Sequence, residues 1–192
     1  MKIEGLLGQK IGMTRVFKED GRSIAVTVVT IPSNTVFAKK ESSVVLGIAN
    51  KRQNKNINKR FKVRKEFKVS EDLENVEIGK NIDISALPED IKHCSISAKS
   101  KGKGFAGVIK RYNFSRGPET HGSRHHRKPG SVGACVKPGR VHKGKKLPGR
   151  MGNERVSLRE VEVVDVDKEN NIIAFKGPLP GSNKGFIEIY FA

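Results

Sequence analysis

The sequence has no tryptophan, only two cysteines, and 20 acidic residues against 38 Lys and Arg. Each shortage excludes something. Cys94 and Cys135 lie 41 positions apart and form no CxxC pair, so the chain is not a disulfide framework, and a cytosolic setting fits. No apolar run approaches the ~20 residues that span a bilayer. No basic amphipathic helix pattern occurs either, and the opening stretch, Met1 to Gly12, is too charged and glycine-punctuated for a signal peptide. A membrane is therefore not an expected partner. The hydrophobic fraction, 35%, is low enough that part of the chain must stay outside any core. The shortage of acids leaves a formal charge of +18 and a pI near 10.1. Such a chain repels itself and calls for a polyanion.

That charge is concentrated. Lys99 to Arg155, 57 residues, holds 16 Lys and Arg but only Glu119 and Glu154 as acids, a net +14 that leaves +4 for the other 135 residues. The same segment contains 11 of the 20 glycines and four of the five histidines. A chain of 192 residues is expected to form one domain, or one domain with a sizeable insertion. The basic segment has the composition of the insertion.

On both sides of it the sequence reads as strands. Ser23 to Ile31 and Val44 to Ala49 are β-branched runs of buried-strand length. Phe61, Val63, Phe67 and Val69 share one parity with Lys and Arg on the other, which describes a strand with one solvated face. Val156 to Val166, Ile172 to Phe175 and Phe186 to Phe191 continue the pattern beyond the basic segment, separated by Asn170-Asn171 and by the Gly177 to Gly181 turn. No stretch offers twelve residues of clean helical period. The core is therefore expected to be all-β and closed as a barrel, with any helix short and placed around Ser85 to Lys92. Lys51 to Lys65 is a second, smaller basic run that reads as a solvated loop. From Tyr112 to Met151 turn formers are dense, with Gly117-Pro118, Pro129-Gly130, Pro138-Gly139 and Pro148-Gly149. So long a stretch without regular elements is best read as an extension ordered by its partner.

Several motifs imitate chemistry they do not complete. Gly102 to Gly107 fits GxGxxG, yet no apolar strand is evident before it and no acidic ribose partner follows about twenty residues on. Glycines flanked by Lys99, Lys101, Lys103, Lys110 and Arg111 instead let a backbone approach phosphates that the cations neutralise. Gly139 to Lys145 resembles a P-loop, but Lys146 stands where the Mg²⁺-binding hydroxyl belongs. His121, His125, His126, Cys135 and His142 match no familiar zinc spacing, and among so many cations phosphate contact or base stacking is their expected role. Two acids 35 positions apart make no acid/base pair, and Cys135 with His142 on a glycine-rich loop makes no held nucleophile. Enzyme activity, a metal, a cofactor and a small-molecule substrate are accordingly not expected. Phe105, Tyr112 and Phe114 sit at the root of the extension and no aromatic follows before Phe175. Serial base stacking is thereby disfavoured and folded RNA, read through backbone and shape, is favoured. An architectural protein acting on DNA is the alternative that charge alone leaves open.

Four segments carry a resemblance: Gly5 to Phe17 (GLLGQKIGMTRVF), Ala98 to Arg111 (AKSKGKGFAGVIKR), Thr120 to Gly133 (THGSRHHRKPGSVG) and Gly144 to Val156 (GKKLPGRMGNERV). Through them the chain resembles, from end to end, the L-three family of bacterial large-subunit ribosomal proteins. The resemblance implies a mainly β fold: a translation-protein type β-barrel built from residues 1–98 and 156–192, with little helix and a long irregular basic extension, residues 99–155. It also implies direct binding to large-subunit (23S-type) rRNA, a role early in subunit assembly, neighbouring ribosomal proteins as partners, a cytoplasmic ribosome as the location, and no catalysis. By matching position, Gly133, Ala134, Cys135 and Val136 form the tip of an extension that reaches toward the peptidyl transferase centre, with Arg127, Lys137 and Arg140 near it. RNA contact is further expected of Lys10, Arg15, Arg116, His121, Arg124, His125, His126, Lys128, His142, Lys143, Lys145, Lys146, Arg150, Asn153 and Arg155, with the five root cations already named. Two departures stand out. Ser95 occupies a position where the family signature is usually acidic, and the tip reads GACVKPGR where the family often has GQNQTPGK. The glutamine methylated in some relatives is absent, so that modification is not expected here.

Overall fold

The structure is a computed structural model and describes residues 4–49, 61–69, 77–84 and 91–191. In chain order its strands are β1 (Gly5–Phe17), β2 (Ser23–Thr30), β3 (Asn34–Lys39), β4 (Ser43–Ala49), β5 (Phe61–Lys68), β6 (Asn81–Ile82), β7 (His93–Lys99), β8 (Gly104–Ala106), β9 (Gly149–Met151), β10 (Arg155–Asp167), β11 (Ile172–Lys176) and β12 (Phe186–Phe191). One short helix, α1 (Val108–Tyr112), is found among the described residues. The chain divides into two units, Met1–Ser100 with Arg155–Ala192, and Lys101–Glu154.

In the first unit six strands close a barrel in the order β1-β12-β7-β10-β11-β2, and β1 pairs with β2 to complete it. Every pairing is antiparallel. Closure removes the exposed edges that an open sheet would leave. A four-stranded sheet, β5-β4-β3-β6, packs its apolar residues into the same core. Leu6, Leu7, Val29, Ile96, Phe175, Ile187 and Ile189 from the barrel meet Val36, Val44, Leu46 and Phe67 from the sheet. The alternation expected for β5 is present, with Phe61, Val63 and Phe67 turned inward relative to Lys62, Arg64 and Lys68. The mainly β expectation thus holds.

Strand β1, its glycines notwithstanding, is one of the two longest. A Cβ on Gly5 would lie 2.5 Å from the Ile189 carbonyl oxygen, and one on Gly8 would lie 2.6 Å from Val29 Cγ1. These glycines mark close backbone approach inside the barrel. Strand β10 bends twice, with register shifts between Leu158 and Val161 and between Val163 and Asp165. Glu160, at φ +54°, sits in the first of these bulges.

Two polar groups fasten the sheet to the barrel. The buried Asn34 amide accepts a hydrogen bond from the Leu7 N–H (3.1 Å) and donates to the Leu7 carbonyl (3.1 Å) and the Pro32 carbonyl (2.9 Å). Glu188 on β12, its side chain 12% exposed, receives Lys65 of β5 at 2.8 Å and Arg155 of β10 at 2.6 Å. The Tyr190 hydroxyl also donates to Glu188, at 3.0 Å. Burial is the strongest single influence on Glu188 and opposes its ionisation, but Lys65, Tyr190 and Arg155 together hold its pKa below the ordinary carboxylate value.

The helix expected around Ser85 to Lys92 falls largely on residues 85–90, outside the described residues, as does the 51–60 part of the Lys51 to Lys65 run. The described helix, α1, lies at the root of the basic segment.

Candidate nucleic-acid interface

The basic unit, Lys101–Glu154, begins and ends as a two-stranded ribbon. The Lys103 N–H bonds the Met151 carbonyl at 2.9 Å, and Gly104, Phe105 and Ala106 pair with Met151, Arg150 and Gly149. Glycine is required here by contact: a Cβ on Gly152, whose φ is +74°, would sit 2.0 Å from the Lys101 carbonyl oxygen. The chain then makes α1, which Asn113 ends in the left-handed conformation (φ 57°) by donating its N–H to the Ile109 carbonyl.

The GxGxxG stretch is therefore used differently from a dinucleotide loop. A strand, β7, does precede it, but that strand belongs to an antiparallel barrel, and Gly104 opens β8 rather than a long helix. The pattern serves ribbon geometry. The P-loop imitation from Gly139 to Lys146 is exposed irregular chain.

Between Asn113 and Pro148 no helix or strand forms, and local bonds hold the path. The Gly117 N–H bonds the His126 carbonyl at 3.0 Å, and a His126 ring nitrogen lies 2.8 Å from the Pro118 carbonyl oxygen. Arg116 pairs with Glu119. From Gly130 to Lys146 every residue is exposed. Gly133, Ala134, Cys135 and Val136, expected at the tip, lie in this stretch, and Val136 is 81% exposed. Among the described residues no three His, Cys, Asp or Glu side chains gather as a metal site. Cys135 is a free exposed thiol, whereas Cys94 is buried in the barrel and burial pushes its pKa up to about 12.

Of the cations expected to meet RNA, Lys101, Lys103, Lys110, Arg124, Arg127, Lys128, Lys137, Arg140, Lys143, Lys145, Lys146 and Arg150 are exposed within this unit, as are His121, His125, His142 and Asn153. Arg15 and Lys99 are exposed on barrel strands. Lys10 is set apart from these: it is 6% exposed, and its ammonium donates to the Leu179 carbonyl at 2.7 Å, which braces the barrel. Arg155 and Arg111 are partly committed inside the protein. Arg155 holds Glu188, and Arg111 donates to the Leu147 carbonyl at 2.8 Å while lying over the Tyr112 ring. Gly149 makes room for that guanidinium, since a Cβ there would stand 2.5 Å from Nη1.

Sequence reasoning passed over Phe105 as a site residue. It is 76% exposed, directly across the ribbon from Arg150, and lines a groove with Met151, Asn153, Glu154 and three glycines. Its signal was an aromatic ring isolated between glycines and lysines.

Comparison with known proteins gives a consistent result. The family model for ribosomal protein L3 matches residues 18–176. The large ribosomal subunit protein uL3 of Halalkalibacterium halodurans is 43% identical over 204 aligned positions, covering 97% of this chain and 96% of its own length. The proteins of the same name from Shouchella clausii and Desulfotalea psychrophila are 42% and 41% identical, each covering 98% of both chains.

Proposed function

The chain belongs to the ribosomal protein L3 family, and from that premise we propose that it is a structural, non-catalytic constituent of the large subunit of the cytoplasmic ribosome. It binds large-subunit rRNA directly, from an early stage of assembly, and packs beside neighbouring ribosomal proteins. The observation that carries this reading is the unit Lys101–Glu154. Its exposed cations lie along largely irregular chain in which few residues are buried, the form suited to lying among phosphates rather than against a flat surface. Exposed histidines add hydrogen-bonding groups that reach sugars and base edges. The tip, Gly133 to Val136, is small and uncharged, and on this reading extends toward the peptidyl transferase centre.

Binding of the whole chain to its cognate large-subunit rRNA transcript, titrated between about 50 and 200 mM salt, tests the mechanism. Six to ten phosphate contacts weaken affinity by roughly 10³- to 10⁵-fold over that range. Flat affinity, or equal competition by duplex DNA, contradicts the proposal. The exposed Cys135 thiol supplies a handle for the tip, since a photocrosslinker attached there and activated in intact subunits reports the nearest nucleotides while buried Cys94 stays unmodified.

A further inference from the structure

We propose that Phe105 is a stacking platform for a single unstacked nucleobase of the large-subunit RNA, with Arg150 beside it. The inference rests on the rRNA-binding reading above and adds a defined base contact to it. A singly exposed phenylalanine is ordinary on protein surfaces. This one is distinguished by its setting. It sits on β8, hydrogen-bonded to β9 and followed by α1, so its backbone is fixed before any partner arrives. Its register partner is Arg150, and cross-strand partners share a face. A planar guanidinium beside an exposed ring is the pair that base recognition uses in unpaired RNA.

The groove suits a flat ligand. Gly102, Gly104 and Gly152 contribute bare backbone to its lining, and a Cβ on Gly104 would meet nothing within 4 Å. Met151 adds an apolar, polarisable flank. Lys101 and Lys103, exposed in the chain just before β8, are suited to the phosphates on either side of the inserted nucleotide. The scarcity of aromatics elsewhere in the unit limits the contact to one base rather than a stacked run.

The test uses the full chain and the cognate rRNA transcript. Phe105→Leu keeps an apolar residue on the strand but removes the π-face, whereas Phe105→Trp restores it. Loss of one stacked base weakens binding roughly 5- to 150-fold, and the salt slope stays unchanged because no phosphate contact is lost. Chemical probing should reveal one nucleotide whose protection disappears with Phe105→Leu and returns with Phe105→Trp, within an otherwise intact footprint. Wild-type affinity and an unaltered footprint for Phe105→Leu overturn the proposal. Unchanged rRNA binding with lost association of another ribosomal protein overturns it too, and reassigns the ring to a protein contact. Failure of the wild-type chain to bind rRNA, or binding insensitive to salt, instead removes the underlying function, and is distinguishable because it appears before any substitution is made.

Discussion

Lys10 and Arg127 carry the same formal charge in opposite settings, one sealed inside the barrel and one exposed on the extension. Lys10→Met should lower thermal stability and leave the salt slope of rRNA binding unchanged, since it removes a buried hydrogen bond and no phosphate contact. Arg127→Ala should do the reverse, leaving unfolding unchanged and reducing the slope by about one. Paired melting curves and salt titrations check both, and a slope change in Lys10→Met would return that residue to the interface. The sequence could not separate the two. Lys10 lies in a run of glycine, glutamine and lysine that looks solvated, and the Leu179 carbonyl that takes its ammonium in the core is 169 positions away in sequence. Gly5 and Gly8 were opaque for the same reason, because the atoms that forbid a Cβ belong to Phe67, Ile189 and Val29.

At the scale of elements, strands rich in Val and Ile were legible, and β2, β4, β5, β10, β11 and β12 lie where the alternation and turn residues put them. Strands β1 and β7 were not. In β7 (HCSISAK) Cys94, Ile96 and Ala98 face inward between serines, and Ser97 is buried against Ser157 at 2.6 Å, so its polar letters conceal a core strand. The ribbon β8-β9 joins residues more than forty positions apart, which no local pattern reveals. Among joined elements, Glu188 is the clearest test. Its folded-state pKa lies below the ordinary value of 4.5. The ionised form therefore stabilises the fold at neutral pH, and that contribution is lost as pH falls through the folded value, below about 4.5. Glu188→Gln should cost about 1 to 3 kcal/mol at pH 7 by weakening charge-assisted bonds to Lys65 and Arg155. The gap from wild type should close at acid pH, as measured by denaturant titrations. A gap of the same size at neutral and at acid pH would show that shape, not charge, is responsible.

For the whole molecule, the division of charge was readable by counting, and it follows the chain's division into two units, which begins the basic one at Lys101 and ends it at Glu154. The exits of that unit are neighbours on the barrel, because Lys99 of β7 pairs directly with Arg155 of β10. Topologically the extension is an enlarged hairpin loop. Replacing Lys101 through Glu154 with an Asn-Gly turn should leave a barrel whose cooperative unfolding survives while rRNA affinity is lost. Circular dichroism and binding assays check this, and a variant without a cooperative transition would mean that the core depends on its insertion.

Closure of the barrel has a kinetic consequence. Its seam joins β1 to β12, with Gly5 opposite Tyr190, so the contact that completes the cylinder spans nearly the whole sequence. Such distant pairing must bear the loop entropy of everything between before it returns any stability, which places refolding in the range of milliseconds to seconds rather than microseconds. During synthesis the same topology imposes an order: the basic segment is made before β12, so the cylinder cannot close until after the whole insertion has been synthesised.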